Sequence, residues 1–155
     1  MKKKKLFTLA GVGAAGVALA LSGVSASAGQ GDAATGGGQI AVSTDGGAGS
    51  TIAFTAQAVG DAARGQVQYV NREGDEQVVQ HGTVNCIDVQ GTEARIAGTW
   101  RDGGSFGLYV QDNGEGGDAT DMIALTPDLT GCESDRDDND PVALARGNAQ
   151  VRDRG

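Results

Sequence analysis

After residue 30 the 3.6-residue repeat typical of a helix is nearly absent, and apolar and polar residues alternate instead over several short stretches. A period of two is typical of strands that bury one face in a core. The pattern predicts eight short strands, around Ile40 and Val42 and over residues 51–59, 65–71, 77–90, 94–100, 106–110, 122–126 and 144–152. These residues are therefore predicted to form an all-β domain.

Turn sequences separate most of these strands, among them Asp45-Gly46-Gly47, Gln90-Gly91 and Asp102-Gly103-Gly104. Short connections favour antiparallel pairing between strands that follow each other along the chain. We therefore expect about eight short antiparallel strands in an up-and-down barrel, with a β-sandwich as the alternative. In the stretch 77–90 the apolar parity switches near Cys86, which indicates a bulge or a bend there.

The N-terminal residues have the three parts of a cleavable secretory signal peptide. Lys2 to Lys5 are basic, the stretch 6–21 is uncharged and apolar, and Ala26 and Ala28 fit the small-residue cleavage pattern. We predict a signal peptide over 1–28, a Gly-rich disordered leader over 29–38, and a single β-domain over 39–155. The protein is expected to be secreted, either free in the medium or associated with the cell wall.

Charge narrows the choice of partner. All four lysines lie within the predicted signal peptide, so the eight arginines and 20 Asp and Glu residues of the mature chain give a net charge of −12. Such an acidic protein is repelled by nucleic acid and by anionic membranes. We expect a monomer that binds no nucleic acid and does not insert into a membrane after signal cleavage, and the sequence does not identify a partner.

Cys86 and Cys132 are the two cysteines of the chain. In an exported protein a pair of cysteines predicts a disulfide, and two cysteines allow only one intramolecular pairing. A bridge that closes the loop between these two cysteines stabilises the folded state by at most about 4 kcal/mol. Neither cysteine belongs to a Cys-x-x-Cys pair, which makes a thiol catalyst the weaker alternative.

An acidic stretch follows Cys132. Glu133, Asp135, Asp137 and Asn139 stand at alternate positions and carry the hard oxygen ligands that Ca²⁺ prefers. The stretch lacks the glycine and glutamate positions of an EF-hand loop. Weak calcium binding is therefore the only cofactor interaction that the sequence suggests, and a solvated acidic loop is the alternative.

Two further motifs favour structural roles over chemistry. The stretch from Asp112 to Asp118 resembles one copy of a Gly/Asp calcium-binding repeat, but a single copy cannot build that site, so a hairpin loop is predicted. His81 is the only histidine, and it lies within a strand in a chain without a Gly-x-Ser-x-Gly motif. An exposed strand histidine is therefore predicted there, and no catalytic residue is assigned.

Aromatic residues are too few to predict a carbohydrate-binding groove built on stacking. The mature chain has five aromatic residues, which are Phe54, Tyr69, Trp100, Phe106 and Tyr109. Strand parity places most of these five in the core. Tyr109 alone has the outward parity of its strand. A carboxylate pair for glycoside hydrolysis remains open, because the acidic residues offer many pairs.

Four segments resemble a group of small secreted all-β proteins of high-GC Gram-positive bacteria, mostly hypothetical and described as post-COAP-type domains. They are residues 64–69 (RGQVQY), 81–86 (HGTVNC), 106–114 ending in Asp-Asn-Gly, and 145–151 (ARGNAQV). The resemblance spans most of residues 50–153. It implies the fold and export, and it implies no catalytic residues.

Three functional hypotheses follow from the residues. The first is a secreted, non-enzymatic β-domain with a binding or extracellular structural role. The second is an extracellular hydrolase whose site is assembled from loop carboxylates. The third is a lipocalin-like barrel that encloses a small apolar ligand. A filled interior favours the first hypothesis, a cleft with two facing carboxylates the second, and a closed pocket the third.

Overall fold

The computed structural model describes residues 31–40, 49–72, 76–115, 119–127, 131–132 and 140–155. Within these ranges the regular secondary structure consists of eight β-strands. The strands are β1 (Ala33–Ile40), β2 (Ser50–Val59), β3 (Ala62–Asn71), β4 (Val78–Gln90), β5 (Glu93–Trp100), β6 (Ser105–Gln111), β7 (Met122–Pro127) and β8 (Val142–Arg152). The described residues include no helix long and apolar enough to cross a membrane.

The eight strands form one closed antiparallel barrel. Each strand pairs with the next along the chain, and β8 pairs with β1 to complete the ring. Gly60 and Gly91 adopt positive φ at the turns between β2 and β3 and between β4 and β5, a conformation that costs glycine little. The up-and-down barrel is confirmed, and the sandwich alternative is wrong.

The first strand corrects the predicted leader. Residues 33–38 belong to the predicted disordered leader over 29–38, but they form most of β1. The prediction was wrong because Gly36, Gly37 and Gly38 carry no side chains to display alternation. In the barrel a Cβ on Gly38 would press against the backbone of Arg146 and Gly147, so glycine lets β1 and β8 approach closely. Val42, predicted in the same strand, lies outside the described residues.

The barrel interior is filled by side chains with the predicted inward parity. Phe106 is fully buried, and its ring lies where β-carbons on Gly82 and Gly98 would otherwise stand. Trp100 packs on Phe106 with ring centroids 4.4 Å apart. The rest of the core includes Ile52, Phe54, Val67, Val84, Ile96, Leu108, Val110, Ile123 and Leu144. The two glycines therefore make room for one large aromatic ring.

Two irregularities interrupt the ladders. The register between β4 and β5 shifts between Val84 and Cys86, which confirms the bulge predicted from the parity switch. β7 pairs with β8 only through Met122 with Ala143 and Ile123 with Val142. The β7–β8 seam therefore has fewer ladder pairs than the other strand boundaries, and most of the β8 backbone there needs hydrogen-bond partners outside the ladder.

Candidate functional site

The Cys86–Cys132 disulfide is formed as predicted. The Sγ atoms are 2.04 Å apart, the Cα atoms are 6.1 Å apart, and no free cysteine occurs in the described chain. Cys86 lies at the β4 bulge, opposite Ala97 of β5, which is only 3% exposed despite its outward parity. The bridge therefore fixes residues 131–132 to the outer surface of the barrel at β4.

The predicted calcium ligands Glu133, Asp135, Asp137 and Asn139 lie outside the described residues. Elsewhere, the parts of the chain that the structure describes contain no group of three or more His, Cys, Asp or Glu side chains placed to hold a metal ion. Weak calcium binding by the acidic stretch stays a prediction.

The β6–β7 connection holds two carboxylates that bind backbone amides of β8. Asp121, which is 6% exposed, accepts hydrogen bonds from the amides of Asn113 (2.9 Å) and Ala149 (2.6 Å). Asp112 accepts from the amides of Gly114 (2.9 Å) and Val151 (3.0 Å). Each carboxylate thus joins one loop amide to one β8 amide, and together they take the place of ladder bonds at the β7–β8 seam.

This arrangement gives the 112–118 motif a structural role over its described part, residues 112–115. Gly114 has a φ of +88°, as the predicted hairpin loop requires. Asn113 donates from its side-chain amide to the carbonyl oxygen of Thr120 at 2.7 Å. The residues that resemble a calcium-binding repeat are therefore engaged with the backbone of the loop and of β8.

His81 is exposed on the outer face of β4, as predicted, and stands opposite Gln68 of β3. Its carbonyl oxygen accepts a hydrogen bond from the amide of Arg101 at 2.9 Å. The described residues lining the depression beside His81 include no Asp or Glu. The described surroundings of His81 thus provide no carboxylate to orient it as a general base.

A polar row crosses the outer face of the barrel. Neighbouring strands place uncharged hydroxyl and amide side chains directly opposite one another, from β8 through β1 to β6. In order around the barrel the row consists of Gln150, Thr35, Thr55, Gln66, Thr83, Thr99 and Ser105. Since adjacent strands lie about 4.8 Å apart, the row extends over about 29 Å of the surface.

The middle of the polar row forms the floor of an outer groove. Two depressions, of about 760 and 500 Å³, share the outward-facing residues Thr35, Thr55, Gln66 and Thr83, and we call their union the outer groove. Arg64, Arg152 and Arg154 line one end, and His81 and Arg101 line the other. Among the described residues that line it there is no Asp or Glu, although the chain contains 20 of them.

Sequence reasoning missed the outer groove and the polar row. It identified the inward parity of β2 and β3, so the outward positions of Thr55 and Gln66 were available. However, these two residues can be placed beside Thr35 and Thr83 only when the pairing register of β1 to β4 is known. The signal that could have found them is the repeated Thr or Gln at the outward positions of β2, β3 and β4.

Comparison with known proteins adds no assignment, because no protein-family model, no curated protein and no solved structure matches the chain. The resemblance to small secreted proteins of high-GC Gram-positive bacteria accordingly stays a prediction.

Proposed function

We propose that this protein is an exported, non-enzymatic binding domain, and that it holds its ligand in the outer groove and not inside the barrel. The observation that carries the proposal is the composition of this groove. Thr35, Thr55, Gln66 and Thr83 present exposed hydroxyl and amide groups side by side on four strands. Each such group both donates and accepts hydrogen bonds, so the surface suits a ligand rich in polar groups.

The core supports a ligand outside the barrel. Phe54, Phe106 and Leu108 are each at most 3% exposed and occupy the interior that a lipocalin-like carrier would leave open. The groove also supports binding over hydrolysis, since a glycosidase needs two facing carboxylates and the described lining of the groove holds none. The disulfide supports export, because such bonds persist in oxidising environments.

The proposal is tested by binding to insoluble cell envelopes of a high-GC Gram-positive bacterium. The double variant Thr55→Val/Thr83→Val removes two hydroxyl groups from the groove and keeps β-branched residues that suit a strand. The matched control is Thr92→Val/Thr120→Val, at two exposed positions outside the groove. We expect the groove variant to lose at least 80% of the sedimented fraction and the control to behave as the wild type. Equal sedimentation of both variants would refute the proposal.

Export is tested separately. Intact-mass analysis of protein from the native culture medium should show a chain that starts at or within a few residues of Gly29. Full-length protein found only in the cytoplasm would refute export.

A further inference from the structure

We infer that the ligand of the outer groove is an acidic polysaccharide, an extended chain of hydroxyl-bearing units whose carboxylates are held by the arginines at the two ends of the groove. The inference rests on the proposed function and specifies its ligand class. Four exposed arginines, Arg64, Arg101, Arg152 and Arg154, line the groove, and its described lining has no carboxylate.

The net negative charge of the chain does not oppose this local attraction. At physiological ionic strength the Debye length is about 8 Å, so carboxylates on other faces of the barrel are largely screened. Asp32 is nearer, because its carboxylate accepts a hydrogen bond of 2.9 Å from the backbone amide of Arg154 at one end of the groove. An arginine, in contrast, contacts a ligand carboxylate directly through two parallel N–H···O bonds. The charged groups that line the groove therefore determine whether it binds a ligand of negative or positive charge.

The register places two of the arginines on opposite sides of a gap. Arg152 lies opposite Ala33, Ala33 lies opposite Gln57, and Gln57 lies opposite Arg64. The two arginines are thus three strand spacings apart, about 14 Å at the backbone. Between them lie Ala33, whose side chain is small, and Gln57, whose amide group can hydrogen-bond a hydroxyl group of the ligand, so a chain that crosses these two residues has an arginine on each side.

Arg154 is held at the same end. Its backbone amide donates a hydrogen bond of 2.9 Å to the Asp32 carboxylate, which fixes the C-terminal segment beside the start of β1. At the other end Arg101 follows β5 and is joined through its amide to His81. Between the two ends, a ligand chain would contact the uncharged floor of Thr35, Thr55, Gln66 and Thr83.

Other polymers fit this surface less well. Single-stranded nucleic acid is bound through aromatic side chains on which its bases stack. Among the phenylalanine, tyrosine and tryptophan residues only Phe54 belongs to the described lining of the groove, and it is 3% exposed. An extended peptide gains affinity by adding to a free sheet edge or by filling apolar pockets. β1 to β4 are paired on both sides, and their outward residues in the groove are mostly Thr and Gln.

The inference is tested by titrating the mature protein with polygalacturonate and alginate oligosaccharides, with methyl-esterified polygalacturonate as the uncharged counterpart. We expect both acidic polymers to bind at least tenfold more tightly than the ester, and their affinity to fall as salt is added. Arg64→Gln/Arg152→Gln should weaken acid binding at least tenfold. Arg72→Gln/Arg146→Gln makes the same change in net charge outside the groove and should change it less than twofold.

Several outcomes would overturn the inference. They are equal affinity for the acid and its ester, no binding of either acidic polymer, equal losses in the two arginine variants, and equally tight binding of single-stranded DNA of the same length. The proposed function is separable from these results. Envelope binding that depends on Thr55 and Thr83 but not on Arg64 and Arg152 would leave the groove as a binding site for a neutral ligand.

Discussion

Asp121 and Ala149, 28 residues apart along the chain, are joined by a buried hydrogen bond of 2.6 Å from the Ala149 amide to Oδ2 of the Asp121 carboxylate. Ala149 is 1% exposed, so its amide is shielded from solvent in the folded protein. The bond lies where β7 and β8 share only two ladder pairs. A single side chain thus supplies a contact that a longer β7 would have made through its backbone.

Asp121→Ala should lower the free energy of unfolding by about 1–3 kcal/mol, because it leaves a buried amide without an acceptor. Asp121→Asn should lower the free energy of unfolding by less, since the side-chain carbonyl oxygen can still accept a hydrogen bond from one of the two amides, that of Asn113 or that of Ala149. Urea denaturation measures both losses, and amide hydrogen exchange at Ala149 should accelerate in the alanine variant. Asp61→Ala, at an exposed turn, is the control. An Asp121→Ala variant as stable as this control would show that the seam does not need the carboxylate.

Gly82→Ala should destabilise the barrel by about 1–3 kcal/mol, because the added methyl group would meet the Phe106 ring in a filled core. Combining it with Phe106→Leu should cost less than the sum of the two single losses, since the smaller side chain yields the space. Gly131→Ala is the matched control, as a Cβ there meets nothing within 4 Å. Additive losses in the double variant would contradict the contact between residue 82 and Phe106.

Unfolding the unreduced protein and titrating its thiols should find no free sulfhydryl, as the bridged Cys86 and Cys132 require. Cys86→Ser/Cys132→Ser should lower the urea midpoint. The free energy of unfolding should fall by up to about 4 kcal/mol, because the unfolded chain gains conformational entropy when the loop is no longer closed. Reductant should lower the midpoint of the wild type and leave that of the double variant unchanged. A midpoint that reductant does not alter in the wild type would contradict a stabilising bridge.

Asp153 should titrate below its ordinary pKa of 3.8 in the folded protein, because the amides of Gly91 and Gly155 donate hydrogen bonds to its carboxylate. A lowered pKa means that its contribution to stability is present above the unfolded value and is lost as pH falls through the folded value. NMR titration of the side-chain carboxyl, with the Gly91 amide shift as a second probe, measures this. The same carboxyl in urea is the reference, and identical midpoints in the two states would contradict the contact.

Strand alternation was sufficient to predict the barrel, the inward residues of β2, β3, β5 and β8, and the bulge near Cys86, and the two cysteines of an exported chain predicted the disulfide. It failed at β1, because Gly36 to Gly38 give no polar or apolar pattern. It also could not find the Asp121 contact with Ala149, which depends on where β7 ends relative to β8. The outer groove depends on register across several strands, and register shifts such as the one between Gln39 and Ile40 have no marker in composition.

Because β1 pairs with β8, the order of the strands in space is the order along the chain and continues across the two ends. The backbone of Arg154 lies against the side chain of Asp32, which puts the two ends of the barrel sequence within one hydrogen bond of each other. The pairing of the eight strands therefore does not depend on which of them begins the chain. A circular permutant with a short linker between these ends and a new start at the exposed β4–β5 turn, beside Gly91, preserves every ladder of the barrel.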